Sequence, residues 1–134
     1  MEISLDDDIR YIDRMREEIA DAENTPNDIE PLRKHSAFQI VLMLEGMMPV
    51  IGQENALDLM TQLWNVFDVT INYHSEEVKI TGDTALDRGW AVERLTNKST
   101  GEVIENLYNY LWISRRDLNG TWKQTHVICN KRPG

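Results

Sequence analysis

Asp87, Arg88 and Glu93 stand in the stretch ALDRGWAVERL, among residues otherwise suited to a β-strand. An acid beside an arginine in a cavity could protonate and polarise a small molecule, and so add or remove water. The plainer reading is a strand that starts near a bend, with Asp87 paired to Arg88 at the surface. A second constellation closes the chain: Trp122, His126 and Cys129 in GTWKQTHVICN, residues 120–130. His126 carries an imidazole, a common catalytic group. Cys129 could become a nucleophile if Lys131 and Arg132 lowered its pKa. No base stands beside the thiol in the sequence, and small buried cysteines ordinarily serve as packing. Asp87, Arg88 and His126 are therefore the catalytic candidates, with His126 read first as a hydrogen-bonded interface residue.

Other chemistries need patterns that are missing. His35, His74 and His126 fall on a helix and two different strands, without paired ligand spacing, so no metal site is expected. Gly52, Gly82 and Gly89 are isolated, and no Gly-rich turn opens a helix. No serine occupies a G-x-S-x-G elbow. No cofactor is expected.

The elements that must hold these residues follow from periodicity. Ser4 caps a helix whose first turn carries Asp6 and Asp7, complementing its dipole. Ile9, Ile12, Met15, Ile19 and Ala22 recur at three- and four-residue spacing, predicting about five turns. Asn24-Thr25-Pro26-Asn27 breaks that helix. Asn27 with Glu30 resembles a capping box, with Pro31 tolerated in the first turn, so a short second helix runs to about Ser36. Phe38–Leu44 is β-rich, and 45–49 forms a loop. A third helix spans Gln53–Phe67, with Ala56, Leu57, Met60, Leu63, Trp64 and Phe67 on one face. Residues 69–81, 84–96, 102–116 and 121–130 read as strands separated by Gly-containing or polar turns. Helices followed by an antiparallel meander make an α+β pattern.

Both faces of the last two strands are substantially apolar, whereas a half-solvated sheet alternates polar and apolar. One parity carries Tyr108, Tyr110 and Trp112; the other carries Asn109, Leu111 and Ile113. Helices can cover one face, and a second copy of the chain is the simplest cover for the other.

The 134 residues fit a single domain, 1–134. Eleven acids against three arginines in residues 1–30 leave about −1 of the net −9 to the rest. This acidic segment disfavours nucleic acid and anionic membrane, and reads first as a solvated helix face. The longest apolar run, Ile40–Leu44, is too short for a membrane span. An acidic N-terminus and a single cysteine make a cytoplasmic location the expectation.

In four stretches the chain resembles the nuclear transport factor 2-like superfamily, in its SnoaL-like and ketosteroid-isomerase-like branch. They are Met48–Ala56, Gly82–Ala85 with Asp87–Gly89, Tyr110–Arg116, and Asn119–Lys123. The Trp122–Asn130 strand and Gln62-Leu63-Trp64 are also similar to the association domain of calcium/calmodulin-dependent kinases. The resemblance as a whole covers about residues 5–132. The resemblance implies a cone, a curved antiparallel sheet wrapped around three helices, with a pocket between helices and sheet. It also implies a dimer through the outer face of the sheet.

Laid on this chain, the isomerase pattern puts Leu44 at the base position, Ala20 at the tyrosine and Leu111 at the second acid. All three lack the required group. Glu45 adjoins Leu44, but strand parity would turn it away, and Tyr11 lies two turns early on the first helix. The pocket implied is lined by Leu44, Trp64, Asn109, Leu111, Ile113, Thr125, Val127 and Cys129, with Met47 and Met48 at its mouth. Tyr108, Tyr110, Trp112, Trp122, His126 and Ile128 are left for the dimer interface, and the direction of Trp90 stays open. The leading expectation is a homodimer that binds a small apolar molecule. An isomerase, dehydratase or cyclase using the same cavity, and a protein-assembly domain, are the alternatives.

Overall fold

Helix α1 (Leu5–Glu23) opens the computed structural model, which describes residues 4–133. The Ser4 side chain accepts the Asp7 N–H at 3.1 Å, and Asp6, Asp7 and Asp8 fill the first turn. Ile12, Met15, Ile19 and Ala22 form its buried stripe. Helix α2 (Ile29–His35) is capped by Asp28, which accepts the Glu30 N–H at 3.1 Å, and not by Asn27. The Asn27 amide instead donates to the Glu23 carbonyl.

Strand β1 (Ser36–Met43) leads to a short β2 (Val50–Ile51) and helix α3 (Gln53–Val66). Strands β3 (Phe67–Thr81), β4 (Thr84–Asn97), β5 (Val103–Arg116) and β6 (Trp122–Lys131) complete the chain. The open, curved sheet has the order β2-β1-β6-β5-β4-β3. It is mixed and not wholly antiparallel as expected: β1 runs parallel to β6, while the other neighbours are antiparallel. A parallel pair requires a long crossover, and here α3 and the rest of the meander supply it.

Two features after α1 fix its C-terminal end against the sheet. Asn24 spans the backbone of Ile71, its amide donating to the carbonyl and its oxygen accepting the N–H. Thr25 does the same for Val69, through its own N–H and its hydroxyl. The chain thereby covers the outer edge of β3 and holds Glu23 beside Tyr73.

Two irregularities decide which side chains face the helices. In β3 the register shifts between Ser75 and Glu77, so Val69, Ile71 and Tyr73 point inward before the shift, and Val78 and Ile80 after it. The facing β4 residue is Gly89, where an added Cβ would lie 2.0 Å from the His74 carbonyl oxygen. Only glycine fits so close a backbone approach. In β6 the register shifts again: Ile113 pairs with His126, but Ser114 pairs with Gln124, leaving Thr125 as the extra residue.

No helix among the described residues is long and apolar enough to cross a membrane.

Candidate functional site

A cavity of about 320 Å³ lies between the concave face of the sheet and the three helices. Ile19, Leu32, Leu57, Met60 and Leu63 supply its helical wall, and Ile40, Leu42 and Ala91 part of its sheet wall. Tyr73, Tyr108, Tyr110 and Trp112 add an aromatic wall. Tyr73 meets Tyr110 and Trp112 edge-on, at centroid separations of 5.5 and 4.8 Å. Such contacts stiffen the rings that border the space. Glu45 and Met47, both exposed, lie at the rim.

Two carboxyl groups reach into this apolar space. Glu23 occupies the last turn of α1, four residues after Ile19 and hence on the buried stripe. Its Oε1 accepts the Tyr73 hydroxyl. Burial drives its pKa up to about 7; the Tyr73 hydrogen bond opposes the rise and the charge of Glu93 adds to it. Glu93 points inward from β4, on the same parity as Ala91 and Leu95. Its Oε1 accepts the Asn106 amide at 3.1 Å. Burial raises its pKa, against hydrogen bonds from Asn106 and Tyr108. Sequence spacing does not pair these two groups, yet each carries a signal: an acid on an apolar stripe, and an acid on a strand parity otherwise apolar.

The candidate acid Asp87 is buried, 2% exposed, and belongs to the layer behind the aromatic wall. It accepts Arg16 Nε at 2.7 Å, Ser75 Oγ at 2.6 Å and the Tyr110 hydroxyl at 3.1 Å. The expected surface pair with Arg88 does not form. Neighbouring strand residues point to opposite faces, so Arg88 lies outside and pairs with Glu76 and Glu77. Asp87 is absent from the cavity lining, which makes it a structural anchor for Arg16 and Tyr110. Asp8 plays a similar part at the other end of α1, accepting two Arg116 N–H groups at 3.0 and 2.8 Å and the Trp122 indole at 3.2 Å.

The parity expected for β5 is reversed. Tyr108, Tyr110 and Trp112, assigned to the interface, line the cavity, whereas Asn109, Leu111 and Ile113 point to the convex side. Both parities are apolar, so hydropathy alone could not choose between them. On β6, Val127 and Cys129 line the cavity, and His126 and Ile128 lie opposite. The Thr125 bulge then turns Gln124 and Trp122 inward, so Trp122 is a core residue, 1% exposed, and not an interface residue. Thr125 itself donates to the Ile113 carbonyl instead of facing the cavity.

Leu44 and Met47 line the cavity, but Met48 is exposed and Trp64 packs in a core cluster against Val69, Ile71, Ala91 and Leu95. Glu45 follows the end of β1, so strand parity does not govern it, and it borders the opening. His126 contacts Thr125 Oγ1 through Nδ1, on the side away from the cavity. The Cys129 thiol is pushed up in pKa by burial, with the charges of Glu93, Glu45 and Glu23 adding to the effect. Lys131 and Arg132 do not activate it. Trp90, left open, faces the convex side and stacks on His74 at 4.0 Å.

Neither a protein-family model nor a curated protein sequence matches the chain. Solved structures match it closely in shape. A conserved protein from Planctomyces limnophilus superposes with a TM-score of 0.85 at 21% identity, covering 93% of this chain and 98% of its own. A ketosteroid isomerase-like protein from Erwinia carotovora gives 0.73 at 21% identity, covering 94% and 91%. A hexachlorocyclohexane dehydrochlorinase, LinA-type3 from Novosphingobium barchaimii, gives 0.81 at 16% identity, covering 94% and 87%. The fold is that of nuclear transport factor 2-like proteins, shared also with a kinase II association-domain structure.

Proposed function

We propose that this domain binds a small, largely apolar molecule in the cavity and moves a proton on it, as an isomerase or a lyase does. Glu23 is the observation that carries this reading. A carboxyl held near pH 7 inside an apolar cavity can both take and give a proton under physiological conditions. Tyr73 orients the carboxyl, and Glu93 provides a second acid of the same kind. Both acids reach the cavity, from α1 and β4, whereas Leu111, where the isomerase pattern puts its second acid, faces the convex side. The isomerase-like and dehydrochlorinase descriptions of two structural neighbours support the reaction class, since isomerisation and elimination both turn on a proton leaving carbon.

The working form is a homodimer joined through the convex face. Register puts Leu86 beside Ile113, Ile113 beside His126 and Leu111 beside Ile128, a largely apolar patch that Arg88 and Asn109 separate from the Val92–Leu107 pair. Such a patch suits a self-complementary interface.

The test is solvent-deuterium exchange into the α-carbon of small cyclic ketones, with native mass spectrometry on the same samples. The expected result is a dimer whose exchange rate falls at least about 100-fold in Glu23→Gln, the size of a typical general acid–base contribution. Exchange no faster than in buffer, or equal rates in both proteins, would reject the catalytic role. A monomer at micromolar concentration would reject the interface.

A further inference from the structure

Among the described residues, every ionisable side chain bordering the cavity is an acid, a phenol or a thiol. Glu23 and Glu93 lie inside and Glu45 stands at the rim, while none of the described Lys, Arg or His residues lines the space. Among the described residues, neither Glu23 nor Glu93 has a cationic partner. The same fold does supply arginines where it buries other acids, Arg16 to Asp87 and Arg116 to Asp8. The missing counter-charge therefore belongs to the cavity and not to the protein in general.

We infer that the molecule this cavity takes carries a protonated amine on an apolar body, with the ammonium group held by Glu93 against the aromatic wall. This rests on the cavity reading above and adds the ligand's charge to it. Three features converge. An ammonium ion supplies the charge that the buried carboxylates lack, where an organic acid would meet like charge. Tyr73, Tyr108, Tyr110 and Trp112 border the space with π-systems whose faces attract a cation, as aromatic cages do for organic ammonium ions. The aliphatic helical wall takes the apolar remainder. Glu93, steadied by Asn106 and Tyr108, anchors the nitrogen, and the Glu23–Tyr73 pair stays free to handle the proton.

Binding would draw Glu23, held at about 7 in the free protein, toward its charged form, so complex formation releases protons near pH 7. Affinity accordingly rises with pH until the carboxyls have ionised, while an alkylamine remains charged.

The experiment compares three probes of nearly one shape: cyclohexylmethylamine, cyclohexylmethanol and cyclohexanecarboxylate. Their binding to the full chain is followed by calorimetry at pH 7 in two buffers of different ionisation enthalpy. The amine is expected to bind at least tenfold more tightly than the alcohol and to release protons, with the carboxylate weakest. Glu93→Gln should remove most of the preference for the amine over the alcohol, with a thermal melt reporting that the variant is folded. Equal binding of amine and alcohol to the wild-type chain would overturn the inference and leave the apolar cavity reading standing. So would an amine preference that survives both Glu93→Gln and Glu23→Gln. Binding of none of the probes would overturn the cavity reading, and this inference with it.

Discussion

The molecule buries two kinds of acid. Asp8 and Asp87 each sit in a layer of packed side chains and each meet an arginine at 2.7–3.0 Å, with further donors around them. Glu23 and Glu93 border the cavity and, among the described residues, meet only neutral donors, Tyr73, Tyr108 and Asn106. In the first kind, Coulomb attraction and hydrogen bonds offset the loss of water, and the group is locked. In the second, desolvation is uncompensated and raises the pKa, which leaves a group able to exchange protons. A buried acid thus marks structure or chemistry according to what stands opposite it.

The largest expected effect breaks the first kind. Asp87→Ala strips Arg16 of its buried partner while the arginine side chain stays 14% exposed. Removing one member of a buried pair costs roughly 3–5 kcal/mol. Urea denaturation at pH 7 should show a loss of that size. A loss under about 1 kcal/mol would mean that Arg16 turns to Asp13 and water at little cost, and that the anchor is dispensable.

A smaller effect of opposite sign tests the second kind. The pKa of Glu23 is raised in the folded protein, from an ordinary 4.5 to about 7. The folded state then holds an extra proton between those values, so its favourable contribution is complete below pH 4.5 and is lost as pH rises through about 7. Glu23→Gln has no charge to bury. It should be more stable than the wild type at pH 8 by roughly 2 kcal/mol, a discounted fraction of the full shift at 1.36 kcal/mol per unit. At pH 4 the difference should shrink toward zero. Thermal melts at pH 4, 6 and 8 decide it; a variant less stable at pH 8 would show that the carboxylate is compensated after all.

The contrast between these acids was only partly legible in the sequence. Helices α1 and α3 and the turns between the long strands followed from spacing and glycine placement, because those signals are local. The side of the sheet was not legible. On β5 both parities are apolar, since one meets helices and the other forms an apolar outer patch, and nothing in the residue types separates the two. On β6 the Thr125 bulge shifts the parity within the strand, so no single alternation describes Trp122 to Lys131. Glu23 was more accessible: it continues the Ile12, Met15, Ile19 stripe by one turn. Its importance depends on Tyr73, fifty residues away, which only the folded chain brings to it.

The smallest expected effect concerns the acid-and-arginine pair with which the sequence opened the catalytic question. In the single chain Arg88 is half exposed and pairs with Glu77 at 2.8 Å on the convex side, where solvent screens both charges unless a second copy covers them. Exposed pairs contribute about 0–1 kcal/mol. Arg88→Ala should therefore change stability by no more than about 0.5 kcal/mol and leave ketone exchange and amine binding untouched. It lies one residue from Asp87, so the two alanine variants form a direct pair: adjacent in sequence, opposite in direction, and separated by a roughly tenfold difference in stability cost. If Arg88→Ala matched Asp87→Ala, or abolished turnover, side-chain direction would not be what distinguishes these charges. The division between locked acids and poised ones would then need another cause.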